Sequence, residues 1–160
     1  MEKITLNEEL IILNLKAVDW EDSLTKISNN LFAQNIVKES FTDAIVKREK
    51  EFPTGLQGSK IGVAIPHTDA EHVKVQAMSV AVLEQPVSFT HMGADDLEVD
   101  VSIIFMLAMK GPDKQVEMLP KLMEIFQKED VLESIKTSNN KKKIKEIISN
   151  ELDFDLTTNG

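Results

Sequence analysis

A chain of 160 residues with a formal charge of −9 and no cysteine is one ordinary domain, able to bury roughly two-thirds of the surface its unfolded form exposes. The acidity argues against a nucleic-acid surface, which needs a basic footprint to displace phosphate counterions, and the missing thiols exclude disulfides, thiolate nucleophiles and Cys-ligated metals together. The apolar runs, Leu10 to Leu15 and Ile103 to Ala108, are far shorter than the ~20 residues that cross a bilayer, and the N-terminus lacks a secretory pattern, so a cytoplasmic protein without membrane insertion is expected.

In chain order, Leu10 to Leu15 reads as a short buried strand. Asp19 can cap a helix over 19–35, in which Trp20, Leu24, Ile27 and Leu31 recur at helical spacing. Ser40 can cap a second helix that stops near Pro53, with Phe41, Ala44, Ile45 and Arg48 on one face. Arg48 thus closes a core-facing stripe, with an arginine snorkelling to solvent as the alternative. Phe52-Pro53-Thr54-Gly55, followed by Gly58, reads as turn and loop.

The middle of the chain is strand-rich. Residues 61–66, 78–84 and 99–108 are apolar with little alternation, the pattern of strands covered on both faces. Pro86-Val87-Ser88-Phe89 and an exposed acidic loop, Ala94 to Glu98, are expected to separate the last two strands. From Asp113 a helix is expected, with Val116, Leu119, Met123 and Phe126 on one stripe and a kink or late start forced by Pro120. Two further amphipathic helices follow, over 130–136 and 140–152, and residues 153–160 read as a frayed tail. The Lys141-Lys142-Lys143 cluster with Lys145 reads as the solvated face of the last helix. With no repeat or linker, residues 1–152 make one α/β domain, a mixed β-sheet with helices packed on both faces.

Three histidines are the candidates for chemistry. His91 reads as a loop residue, and His72 as a partly buried, hydrogen-bonded one. His67 differs because an apolar strand ends at Pro66 and delivers the imidazole to the next position, where a rigid scaffold holds a reachable side chain. Placement alone leaves a structural imidazole equally open. A metal site built from His67, Asp69 and His72 matches no established ligand spacing, and no Walker A loop, Gly-x-Ser-x-Gly elbow or Gly-x-Gly-x-x-Gly fingerprint is present. No metal or other cofactor is therefore expected. Histidine phosphorylation fits better: a neutral imidazole nitrogen is a competent nucleophile, and its phosphoramidate can pass the group onward. Such transfer needs positioning and charge stabilisation, which Arg48 and the turn after His67 can supply. Either Thr68 or Asp69 can cap a short turn through 73 whose free N–H groups would face an anion.

Ala44-Ile45-Val46-Lys47-Arg48-Glu49, Phe52-Pro53-Thr54-Gly55 and Gly62-Val63-Ala64-Ile65-Pro66-His67-Thr68-Asp69 resemble the enzyme IIA domains of the phosphoenolpyruvate-dependent sugar phosphotransferase system. The likeness is to the fructose/mannitol superfamily, most of all its galactitol-type branch. It implies that His67 accepts phosphoryl through Nε2 from the histidine-phosphorylated carrier HPr and passes it to a cysteine of enzyme IIB, while membrane-embedded enzyme IIC carries and selects a sugar alcohol such as galactitol. Arg48 matches the arginine that steadies the phosphohistidine. Mannitol and fructose members carry a second histidine where this chain has Gln115, an amide that can still donate a hydrogen bond to a phosphoryl oxygen. The alternative implied by the same motif is a regulatory phosphohistidine module of the nitrogen-type kind, which signals by binding and moves no sugar.

Overall fold

The spine of the sheet is a long hairpin of β5 (Ala77–His91) and β6 (Ala94–Ala108), paired antiparallel from Ala77↔Ala108 to His91↔Ala94. The computed structural model describes residues 4–152 and 156–157, the side chains of 112–116 and 156–157 excepted. Gly93 makes the turn at φ 86°, in the left-handed region, with open space around its Cα. Backbone freedom alone therefore favours glycine there. The stretches expected to separate two shorter strands lie inside this hairpin. A bulge between Val82 and Val87 absorbs Pro86. Beyond it, buried Val87, Phe89, Val99 and Val101 alternate with exposed Ser88, Glu98 and Asp100. The acidic segment 94–98 is exposed, as expected, but is strand rather than loop.

Short strands complete a seven-stranded mixed sheet. β4 (Gly62–Ala64) runs parallel to β6, and β3 (Gly55–Gln57), expected as loop, pairs antiparallel with β4. On the other side of the hairpin, β1 (Ile4–Thr5) and β2 (Ile11–Leu15) run parallel to β5. β7 (Leu156–Thr157) pairs with β1, so this part of the tail is not frayed. The rest of the tail, 153–155 and 158–160, lies outside the described residues.

Both faces are covered. α1 (Trp20–Ala33) and α2 (Phe41–Glu51) pack Leu24, Ile27, Leu31, Phe41 and Ile45 over Ala81, Ile104 and Met106. On the opposite face, α3 (Pro112–Phe126), α4 (Glu129–Thr137) and α5 (Lys141–Glu151) pack Leu122, Ile135, Ile144 and Ile148 over Val80, Val82, Ile103 and Phe105. Successive residues of β5 and β6 thus serve opposite cores, which explains their continuous apolar pattern.

Asp19 caps α1 as expected, accepting from Asp22 N at 2.8 Å, but Ser40 does not cap α2. Its backbone is already helical, and its Oγ lies 2.8 Å from His72 Nδ1. In α3 the buried stripe is Met118, Leu122, Ile125 and Phe126, with Leu119 half-buried and Met123 exposed. Of the expected stripe, Phe126 is buried and Leu119 packs against the same core, but Met123 is exposed, because Pro120 and the mixed residues around it leave two helical registers similarly apolar. The Val116 side chain lies outside the described residues. The helix starts at Pro112 rather than late. Pro120 sits on its exposed side, where the lost ladder bond is tolerable. Among the described residues no helix is long and apolar enough to cross a membrane.

Candidate active site

The site begins where β4 runs out. Gly62 lets β4 lie close to β6, since a Cβ there would collide with the Asp100 carbonyl. Beyond Ala64 the chain stays on the sheet: the Pro66 carbonyl accepts from Leu107 N at 3.0 Å, and His67 bridges Leu107 in parallel. Proline has no N–H to offer, so the segment cannot extend the ladder symmetrically, and His67 emerges at the sheet's end, half-buried.

The imidazole is oriented by its own backbone. His67 Nδ1 lies 2.8 Å from the Ile65 carbonyl oxygen, and a carbonyl only accepts, so Nδ1 carries the proton. In the neutral ring the lone pair then belongs to Nε2. Burial pushes the His67 pKa below its ordinary value and the Arg48 guanidinium lowers it further, outweighing the Ile65 carbonyl and the Asp69 carboxylate. Near neutral pH the ring is therefore uncharged, with its lone pair on Nε2.

Arg48 occupies the last turn of α2, half-buried, its guanidinium 4.4 Å from the centre of the Phe52 ring. That contact restrains a long side chain through its planar face. Arg48 borders an open depression of about 270 Å³ together with Lys47, Glu51, Thr68, Asp69 and His72. Arg48, Thr68 and Asp69 are thus brought together, and Arg48 lies close enough to His67 for its charge to be felt there.

Thr68 is buried and Asp69 exposed. Asp69 stands at the cap position of a single 3-10 turn, Ala70–His72, but its side chain accepts no capping bond. The turn uses the amides of His72 and Val73 on the carbonyls of Asp69 and Ala70. The turn expected after His67 is present, but the cap expected from Asp69 is not formed. His72 is half-buried and bonded to Ser40, as a structural histidine. His91 ends β5, where its backbone pairs with Gly55. Gln115 falls in the first turn of α3, and its side chain lies outside the described residues. Among the described residues no group of three His, Asp or Glu side chains could hold a metal ion.

Sequence reasoning missed Glu49 and Thr54. Glu49 is only 4% exposed; its Oε2 accepts from Thr54 N at 2.7 Å and its Oε1 from Thr54 Oγ1 at 2.8 Å. The same Thr54 oxygen accepts from Ile65 N at 3.2 Å. Burial raises the Glu49 pKa to about 7, against the two Thr54 bonds. A signal was available: Phe41, Ile45 and Glu49 stand at i, i+4 and i+8, so the helical period already put this carboxylate on the buried face.

Residues 4–151 match the family model described as the phosphoenolpyruvate-dependent sugar phosphotransferase system, EIIA 2. The chain belongs to that family. As an EIIA component it is a phosphoryl-transfer protein of the phosphotransferase system. It is 34% identical over 122 residues to the galactitol-specific EIIA component of Escherichia coli (strain K12), covering 75% of this chain and 79% of that protein. Its fold matches the crystal structure of the mannitol enzyme IIA of Escherichia coli with a TM-score of 0.74 at 21% identity, covering 89% of this chain and 98% of the other. A similar match, TM-score 0.74 and 21% identity over 92% and 99% of the two chains, is to the enzyme IIA in a complex of mannitol-type IIA and phosphorylated IIB from the same organism. The EIIA fold is thus the single mixed-sheet α/β domain described above.

Proposed function

We propose that His67 is the phosphoryl acceptor and donor of this EIIA, working in the cytoplasm between phosphorylated HPr and a cysteine of enzyme IIB, in the uptake of a sugar alcohol such as galactitol. The observation that carries the reading is the His67 Nδ1–H bond to the Ile65 carbonyl, which leaves Nε2 as the free nitrogen. The Nε2 lone pair attacks phosphorus on the phosphohistidine of HPr. The N–P bond of the donor breaks, and its electron pair returns to the donor's ring. His67 keeps the Nδ1 proton, so the new phosphoimidazolium bears a positive charge that the Ile65 carbonyl stabilises. In the second step an IIB thiolate attacks the same phosphorus, and the His67 N–P bond breaks with its pair returning to Nε2.

Arg48 stabilises the charge spread over the phosphoryl oxygens, supported by its half-buried position and its influence on His67. Thr68, Asp69 and Gln115 would line the approach of that group. The galactitol reading is supported by the identity to the galactitol-specific relative, and the IIB partner by the mannitol-type complex of the same fold.

The test is incubation with phosphoenolpyruvate, enzyme I and HPr, followed by localisation of the label by mass spectrometry. The expected result is an acid-labile, base-stable phosphoryl group on His67, passed to a galactitol-type IIB in preference to a mannitol-type one. His67→Ala, folded by circular dichroism, should take no label. A folded His67→Ala that is still labelled refutes the role of His67, and equal transfer to both IIB proteins refutes the sugar reading.

A further inference from the structure

We infer that Glu49 and Thr54 are positioning residues for His67, acting through Ile65 to keep the imidazole proton on Nδ1 and the lone pair on Nε2. The inference rests on the reading of His67 as the phosphoryl carrier and extends it to two residues that touch neither the ring nor the reacting atoms.

The geometry is a directed chain. Above its pKa of about 7 Glu49 is a carboxylate, which can only accept, so the Thr54 hydroxyl then spends its single proton on Glu49 Oε1, 2.8 Å away. That leaves the Thr54 lone pairs facing Ile65 N, and the bond found there, 3.2 Å long, runs in the required direction. Glu49 Oε2 holds the Thr54 backbone as well, through its N–H at 2.7 Å. Threonine is thereby fixed at both its main chain and its side chain.

Ile65 is the residue whose carbonyl takes the His67 Nδ1 proton at 2.8 Å. The next residue, Pro66, is anchored on its carbonyl side by Leu107 N and has no N–H of its own. Of the two groups flanking the critical carbonyl, one is therefore held by the sheet and the other by Thr54. If the Thr54 bond is lost, the Ile65 carbonyl keeps only one fixed neighbour. Its aim at Nδ1 then relaxes, and the ring can redistribute its proton between the two nitrogens.

A carboxylate is an odd choice for stitching a loop to a strand at this depth. Glu49 and Thr54 are each 4% exposed, and an apolar pair would close the same contact without desolvating a charge. What an apolar pair lacks is direction: only a group that cannot donate forces the threonine hydroxyl to become an acceptor toward Ile65. Burial raises the Glu49 pKa to about 7, so the ionised form that gives the chain its direction prevails above that value.

The experiment uses the full chain, labelled with 15N at histidine, at pH 8, with three variants: Glu49→Gln, Thr54→Val and Thr54→Ser. The wild type should show one His67 tautomer, protonated at Nδ1. Glu49→Gln and Thr54→Val should show a mixture of tautomers and accept phosphoryl from HPr roughly tenfold more slowly, the scale of a small misplacement of a reacting group. Thr54→Ser, which keeps the hydroxyl, should restore both readouts to within about twofold. A folded Thr54→Val with an unchanged tautomer and an unchanged rate overturns the inference, as does a Thr54→Ser no better than Thr54→Val. Because the tautomer is read without phosphorylation, a wild type that takes no label refutes the carrier role of His67, while a tautomer shift in the variants still supports the network.

Discussion

Glu49→Gln should also change how the stability of the fold depends on pH. In the unfolded chain this carboxyl titrates near its ordinary value of 4.5, and in the folded protein at about 7. Between those values the folded state binds more protons than the unfolded one, so this group makes stability fall as pH rises. The full rise in pKa corresponds to roughly 3 kcal/mol, present below the lower value and lost by about pH 7.5. His67 acts in the opposite sense. Its folded pKa is depressed, so its contribution is complete above the unfolded value and is lost as pH falls through the folded one. The wild type alone therefore mixes two opposed slopes. The difference between wild type and Glu49→Gln cancels the groups not coupled to Glu49, and leaves the carboxyl as its main contribution. Urea unfolding of both proteins at half-unit steps from pH 4 to pH 8 should give a difference that moves in the variant's favour by about 2–4 kcal/mol across the series. A difference that stays flat within ~0.5 kcal/mol would mean that Glu49 titrates normally and is not the desolvated carboxyl described above.

The remaining expectations concern packing and charge. Arg48→Ala should leave the fold intact and slow phosphoryl uptake by roughly 10²-fold, with Arg48→Lys recovering only part of it because an ammonium cannot reproduce the planar fork; stopped-quench transfer from HPr reads both, and an unaffected rate in Arg48→Ala would remove this residue from the mechanism. Gly62→Ala should lower stability by about 1–3 kcal/mol in thermal unfolding, since its Cβ meets the Asp100 carbonyl of the neighbouring strand. In α3, Leu122→Ala should cost about 2–5 kcal/mol while Met123→Ala, on the exposed side, costs under ~0.5. The reverse order would restore the helical phase first read from the sequence.

The sequence was most legible where one physical pattern acted alone. Alternate residues of 78–82 and 103–107 feed two cores, so their unbroken apolarity announced a sheet covered on both faces. Pro66 ending such a run singled out His67, and the helical spacing of Phe41, Ala44, Ile45 and Arg48 set the arginine on the inner side of α2. Legibility failed where two patterns overlapped. Gly55 to Gln57 combines turn-forming residues with a strand too short to show a period. The outer half of the hairpin is covered on one face only, so its acidic alternate positions read as loop. Glu49 was passed over because a charged residue is expected at the surface, although its position on the helix pointed inward. The bond between Ser40 and His72 joins residues 32 positions apart, and no local rule for caps could foresee a serine diverted to it.

The acidic hairpin has a consequence for solubility. Among the described pairings, β6 gains β4 as an outer neighbour only from Val101 onward, so the backbone of 94–100 is the exposed margin of a sheet. Such a margin is a template on which a second chain can add a strand, and natural proteins guard it with charge. Asp95, Asp96, Glu98 and Asp100, all exposed, provide that guard at neutral pH, each added chain bringing the same negative charges against them.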